Sequence, residues 1–380
     1  MNSDFSRRNF LAAGLALPAA NAIPNALSPA APAFEPAANG LAYRVLGKTG
    51  LKVTTVGFGC MITSDPTVIT RAADMGINHF DSSRWYQKGN NERMVGAALG
   101  SKRKDIVLST KVDAETKEGA LKELDMSLKE LGTDHLDIWY LHGKDSPEGM
   151  KDELIEAQEI AHQQGKVRFL GVSTHRLPRI TEAVIKTGKM QVVLATYNFT
   201  MDAAMEESIA ALNKAGVGVV AMKVMAGGTR GKNPKPQLLK QNGPSAALKW
   251  VLKNQGVATT VPSMTDIEQL EANFKAMSEG FSGADQQVLN ARLEEIRPEY
   301  CRMCGRCDGK CPQGLPVADV LRYLTYAEGY GQFPLGRERF LEMPEHLTKV
   351  RCGDCTSCPI RCPNGVRVTE RLIRAQELFA

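Results

Sequence analysis

A chain of 380 residues with 43% hydrophobic composition can hold one large domain with a sizeable core and a smaller companion. Lys plus Arg (47) nearly balances Asp plus Glu (42). No basic tract carries interleaved aromatics, so no nucleic-acid partner is expected.

The first element is a leader. Arg7 and Arg8 precede a short apolar run and resemble a twin-arginine export signal, a route whose cargo folds before it crosses the membrane. Residues 11–22 are too few, and too broken by Pro18, to span a bilayer as a helix, so no stable membrane span is expected. Ala20-Asn21-Ala22 offers the small-x-small site of a signal peptidase, which makes 1–22 the signal. Residues 23–39, rich in Ala and Pro, read as a linker. The leader implies a periplasmic or otherwise exported protein that meets the twin-arginine translocase on its way.

From Tyr43 onward short apolar runs alternate with amphipathic stretches. Strands are predicted at 54–60, 77–83, 105–111, 136–142, 167–173, 192–198, 217–223 and 257–263. Between them, Leu121, Leu124, Leu128 and Leu131 share one helical face, as do Met205, Ile209 and Leu212. Eight strand-helix units suit a (β/α)8 TIM barrel over 40–298, in which strands are apolar on both faces. A doubly wound open sheet is the alternative, but no G-x-G-x-x-G follows the first strand.

In such a barrel, chemistry sits at the C-terminal ends of the strands. Those ends bring Asp81, Tyr86, Lys111 and His142 to one mouth. A tyrosine phenol is a reluctant acid until a cation stabilises its phenolate. Lys111 supplies the cation, Asp81 holds Lys111, Tyr86 exchanges a proton with a carbonyl or alcohol oxygen, and His142 orients that oxygen. These residues, with the opening "RVLGKTGLKVTTVGFG" and the D-x4-Y spacing of Asp81 and Tyr86 followed by Glu92, resemble the aldo-keto reductase family from about residue 43 to 277.

The resemblance implies NAD(P)(H) as cofactor, with departures. Ser173 keeps a family position on the fifth strand, Thr174 replaces Asn, Leu194 falls where Gln is expected, and Met222 stands in place of a stacking aromatic. Lys223 and the "AGG" turn are left to cradle a phosphate, and Ser263 and Asn273 fall in the loop after the eighth strand, without the basic pair that many members use for a 2'-phosphate.

After a further helix at 285–296 the composition changes. Residues 301–312 and 352–363 each read C-x2-C-x2-C-x3-C-P, the bacterial ferredoxin pattern, in duplicate. It implies two 4Fe-4S clusters in a small ferredoxin-like module over 299–380. On the two-cluster pattern Cys301, Cys304 and Cys307 share a cluster with Cys362, and Cys352, Cys355 and Cys358 share one with Cys311. Zinc favours two C-x2-C pairs, and disulfides are the other use of cysteines outside the cytoplasm. Export after folding answers the second, because it delivers thiolates already occupied. Cys60, ending the first strand, reads as a small packing residue. The stretch 315–350 is longer than a compact ferredoxin needs and is expected to pack on the barrel or cover its mouth.

The whole resembles aldo-keto reductase-like proteins that carry a C-terminal two-cluster module. The first expectation is an exported oxidoreductase acting on a small carbonyl or alcohol and linked by its clusters to a redox partner protein. The others are an electron-transfer or binding subunit with a degenerate barrel, and an ordinary reductase whose clusters are structural staples.

Overall fold

A computed structural model describes residues 40–227 and 237–380, with side chains for all of these except 237–242. The expected leader and linker, 1–39, lie outside the described residues, as does Gly228 of the "AGG" turn.

The chain enters through an antiparallel hairpin of β1 (Tyr43–Val45) and β2 (Lys52–Thr54). Eight parallel strands follow in consecutive spatial order: β3 (Phe58–Gly59), β4 (His79–Asp81), β5 (Val107–Val112), β6 (Leu136–Leu141), β7 (Val167–Thr174), β8 (Val192–Thr196), β9 (Gly218–Met222) and β10 (Thr259–Thr260). Val56 bridges Thr260 in parallel, and Gly57 N–H donates to Thr260 O at 2.8 Å, so the first and last strands close the barrel. All eight predicted strands are present. The first is shorter than 54–60, because residues 52–54 belong to the hairpin and only 58–59 pair with β4.

The apolar runs were readable because the strands are buried on both faces: every residue of β5, β6 and β8 is buried. Inside, Ile138, Tyr140, Val192, Leu194 and Val220 pack with Leu46, Leu51 and Val53, so the hairpin segment plugs the end opposite the strand C-termini. Outside lie α1 (Pro66–Asp74), α2 (Asn90–Leu99), α3 (Lys117–Leu131), α4 (Asp152–Gln163), α5 (Leu177–Thr187), α6 (Ala203–Ala215), α7 (Gln237–Lys253) and α8 (Ile267–Lys275). The predicted faces of α3 and α6 bury Leu124, Leu128 and Leu131, and Met205, Ile209 and Leu212. Starts are fixed by side-chain caps such as Asp65, Thr116 and Asp266. Helix α9 (Gly283–Ile296) opens on a Ser282–Asp285 capping box and leads to the C-terminal region.

That region is helical: α10 (Val317–Leu324), a π turn (Thr325–Gly329), α11 (Phe333–Leu341), α12 (Glu345–Thr348) and α13 (Val368–Phe379). Among its described residues there is no strand, so its likeness to a ferredoxin is confined to the cysteine motifs. It has its own core, with Leu321, Leu324, Phe340, Leu372 and Phe379 buried together. Over "ADVLRYLTYAEGYG" the helix changes from α to π at residue 325, where Tyr330 N–H reaches back five residues to Thr325 O at 3.1 Å.

The module packs across the strand C-termini. Asp308 receives Arg176 and Arg179 from the barrel at 2.5 and 2.6 Å, Arg302 pairs with Asp202 at 2.9 Å, and Arg339 pairs with Asp113 at 2.6 Å. At Gly329 the two parts meet so closely that a Cβ would lie 2.2 Å from the carbonyl oxygen of Gly227. Gly329→Ala is therefore expected to cost about 1–3 kcal/mol by overpacking. A thermal melt would read this as a lowered midpoint, with faster proteolysis at the junction; an unchanged melt would mean that the contact yields.

Candidate active site

The C-terminal ends of β4, β5 and β6 set the four predicted residues. Asp81 ends β4, Lys111 lies in β5, His142 follows β6, and Tyr86 opens the turn after β4. Lys111, 1% exposed, donates to Asp81 Oδ2 at 2.5 Å and to the Ser82 carbonyl at 2.6 Å. Asp81 Oδ1 accepts from Ser109 Oγ at 2.7 Å. The Lys111 ammonium stands 4.9 Å from the centre of the Tyr86 ring, and that ring meets His142 edge-on at 6.4 Å and 85°.

The turn carrying Tyr86 is built to be sharp. Gln87, Lys88 and Gly89 have positive φ in succession (51°, 55° and 84°). Gln87 Nε2 donates to Thr63 O at 2.8 Å, which holds the loop. Beneath it Glu92, fully buried, pairs with Arg84 at 2.5 Å and accepts from Thr110 Oγ1 at 2.7 Å. Glu92 thus supports the loop.

The electrostatics differ in one respect from expectation. Burial pushes the Tyr86 phenol up to about 12, and Asp81 adds to this, while Lys111 opposes it without prevailing. Burial also works against the Lys111 ammonium, but Asp81 and Tyr86 outweigh it and hold its pKa above that of an ordinary lysine. Burial lowers the His142 pKa to about 3 against the pull of Asp113, so the ring is neutral. In these protonation states Tyr86 and His142 each carry a hydrogen to donate.

A second set of residues faces the first. His175, beyond β7, meets Asp145 Oδ2 at 3.1 Å, and Arg322 of α10 meets the His175 ring at 3.0 Å. Tyr326 in the π turn and Tyr330 just after it stack at 5.9 Å, and Lys223 lies 4.6 and 5.2 Å from their ring centres. Arg339, besides holding Asp113, lies over Trp85 at 5.1 Å. None of these was singled out from the sequence except Lys223. The one visible hint was the tyrosine spacing in "YLTYAEGY", which gains meaning only when the module docks.

The residues assigned to a nicotinamide behave differently. Ser173 Oγ accepts from Gly143 N–H at 2.8 Å. Thr174 Oγ1 donates to Asp145 at 3.0 Å and accepts from Arg176 N–H at 3.0 Å. Leu194 is buried in the barrel interior. A carboxamide would find one hydroxyl hydrogen here, so this set does not fit that grip. Ser263, after β10, is half-buried and Asn273, on α8, is buried; neither hydrogen-bonds to the tetrad or to Lys223. Cys60 is buried and packs, as expected.

The cysteines gather as two fours. Cys301, Cys304, Cys307 and Cys362 line one cavity with Leu321 and Asn364. Cys352 lies within electrostatic reach of Cys311, Cys355 and Cys358. Burial first, then the neighbouring thiols, push Cys301 up to about 12 and Cys352 up to about 11. Two sets of four cysteines, with all nine cysteines free of disulfides, have the donor chemistry for a pair of cationic clusters once their thiols are ionised. Among the described residues no three His, Cys, Asp or Glu side chains converge on a single ion; a cubane presents its irons at separate corners and asks for wider spacing.

Comparison with known proteins agrees with the barrel. A profile of the aldo/keto reductase family matches residues 64–244. The apo form of the aldo-keto reductase AKR11C1 from Bacillus halodurans is 30% identical, with 66% of this chain and 95% of that one covered and a TM-score of 0.54. This chain belongs to the aldo/keto reductase family. Curated relatives of this reductase include an L-galactose dehydrogenase of Arabidopsis thaliana, 29% identical over 67% of this chain and 95% of that protein. Another is the oxidoreductase YqkF of Bacillus subtilis, 28% identical over 61% and 90%. The reductase is an oxidoreductase enzyme of the aldo-keto type, and the family match ends before its cysteine-rich module begins.

Proposed function

We propose that this reductase interconverts a carbonyl and an alcohol at Asp81, Tyr86, Lys111 and His142, and that two 4Fe-4S clusters connect it to a redox partner protein. The observation that carries the reading is the buried Lys111–Asp81 pair beneath Tyr86, with a neutral His142 edge-on to the same ring. An oxygen bound between Tyr86 and His142 receives two hydrogen bonds. The Tyr86 proton passes to it as negative charge develops, and Lys111 stabilises the phenolate left behind. In the reverse direction Tyr86 takes the alcohol proton. Members of the family typically use NAD(P)H, whereas Ser173, Thr174 and Leu194 do not form a carboxamide grip here.

The two cysteine sets would hold the clusters, each of which passes electrons one at a time. Tyr86→Phe is the direct test: the expected outcome is loss of turnover with unchanged iron content. Turnover at the wild-type rate would remove the tetrad from the chemistry. Cys301→Ser is expected to lower iron content from about eight to about four per chain, measured on anaerobically purified protein; unchanged iron would count against this assignment.

Arg7, Arg8 and the apolar run behind them support export through the twin-arginine translocase. Replacing both arginines by lysine is expected to leave the precursor in the cytoplasm on cell fractionation. Normal export of that variant would end the reading.

A further inference from the structure

Most charged side chains around the mouth have an opposite partner. Lys111 has Asp81, Arg84 has Glu92, Lys144 has Glu115, Arg322 has Asp319 and Arg339 has Asp113. Lys223 has no carboxylate within ion-pair distance among the described residues. It is half-buried at the end of β9 between the rings of Tyr326 and Tyr330, with the neutral Tyr326 hydroxyl as its hydrogen-bond partner and Asp145 only at longer range. Cations held away from water are ordinarily paired, because desolvation penalises the charged form. Aromatic faces recover part of that cost.

The position is also held against strain. Lys223 has φ 56°, in the left-handed region that non-glycine residues avoid. Asn198 Nδ2 donates to the Lys223 carbonyl at 3.1 Å and to Tyr300 Oη at 3.1 Å, so the backbone is pinned from both the barrel and the module. A strained, pinned cation without an anion, across the mouth from the tetrad, is arranged for an anion that comes from outside. Tyr326 and Tyr330 both lie within electrostatic reach of Tyr86, so the rings that flank Lys223 adjoin the tetrad.

We propose that Lys223, in its cage of Tyr326 and Tyr330, seats the anionic group of the substrate, so that this reductase acts on carbonyl or alcohol compounds bearing a carboxylate. The assignment rests on the tetrad reading above. Tyr326 and Tyr330 belong to the C-terminal module, so the site is composite and the module shapes its specificity.

The test uses the full chain, purified anaerobically, and titration calorimetry with benzoate, its uncharged counterpart benzamide, and inorganic phosphate. Benzoate is expected to bind about tenfold more tightly than benzamide, the worth of one charge-assisted hydrogen bond. Lys223→Met and Lys223→Gln are expected to remove the preference, and Lys223→Arg to retain most of it. Tyr86→Phe is expected to keep it, so that failure of the tetrad and failure of the seat read out separately. Equal binding of benzoate and benzamide by the native chain overturns the proposal without recourse to any variant. So does a preference that survives in both uncharged variants, and phosphate bound more tightly than benzoate overturns the choice of carboxylate.

Discussion

Replacement of Lys111 by methionine is expected to reduce turnover by about 10²–10⁴-fold and to cost about 3–5 kcal/mol of stability. The two losses have different origins. Turnover falls because Tyr86, whose phenol burial already pushes up to about 12, loses the cation that opposes this shift. Stability falls because Asp81, 4% exposed, keeps its buried carboxylate and loses the ammonium at 2.5 Å. Ser109 remains as a single neutral donor. Adding Asp81→Asn to Lys111→Met should restore much of the stability and none of the activity. Chemical denaturation and initial rates with small aldehydes separate the two effects. If the single variant were as stable as the native chain, the pair would not be the buried support described here.

Acid should weaken the fold well before the carboxylates titrate. His79 and His175 are buried, and burial holds each pKa at about 4. Arg322 adds to the shift at His175 while Asp145 opposes it; at His79 the carboxylates of Asp81 and Asp137 oppose it. An unfolded histidine titrates near 6.5. With His142, held at about 3, these make three histidines with lowered pKa, so between about 6.5 and about 4 the unfolded chain binds up to three protons that the folded chain refuses. Stability rises with pH in that window and is lost as pH falls through it, by up to about 4.1 kcal/mol per pH unit for three protons. Urea midpoints at pH 7 and pH 5 give the check, and His79→Leu should lessen the slope. A midpoint that does not move between these values would mean that the folded protein accepts the protons.

The barrel could be read from the sequence because its physics is local and repetitive. Strands such as β6 are buried throughout, and Leu124 and Leu128 announce the face on which α3 packs. The tetrad was legible for a related reason: Asp81, Lys111 and His142 stand at or beside strand ends, where backbone direction alone brings them together. The other half of the site was not legible. Arg322, Tyr326 and Tyr330 acquire their roles when α10 and the π turn settle on β7 and β9, and no periodicity encodes that docking. The net upward shift at Tyr86 had the same origin, since it depends on how deeply the turn is covered. Lys223 was visible as a cation near a strand end, but its lack of a carboxylate partner becomes apparent only when the neighbouring charges are in place.

The segment that roofs the mouth runs from one cysteine motif to the other, and it is fastened along its length. Before it, Asp308 is gripped by Arg176 and Arg179; within it, Arg322 and Arg339 reach His175 and Asp113; after it, α13 packs back on α10. A strip tied at both margins has no loose end and no hinge about which to swing. At its margin the half-exposed Trp85 lies against Arg339, so the same guanidinium that holds Asp113 also pins this ring.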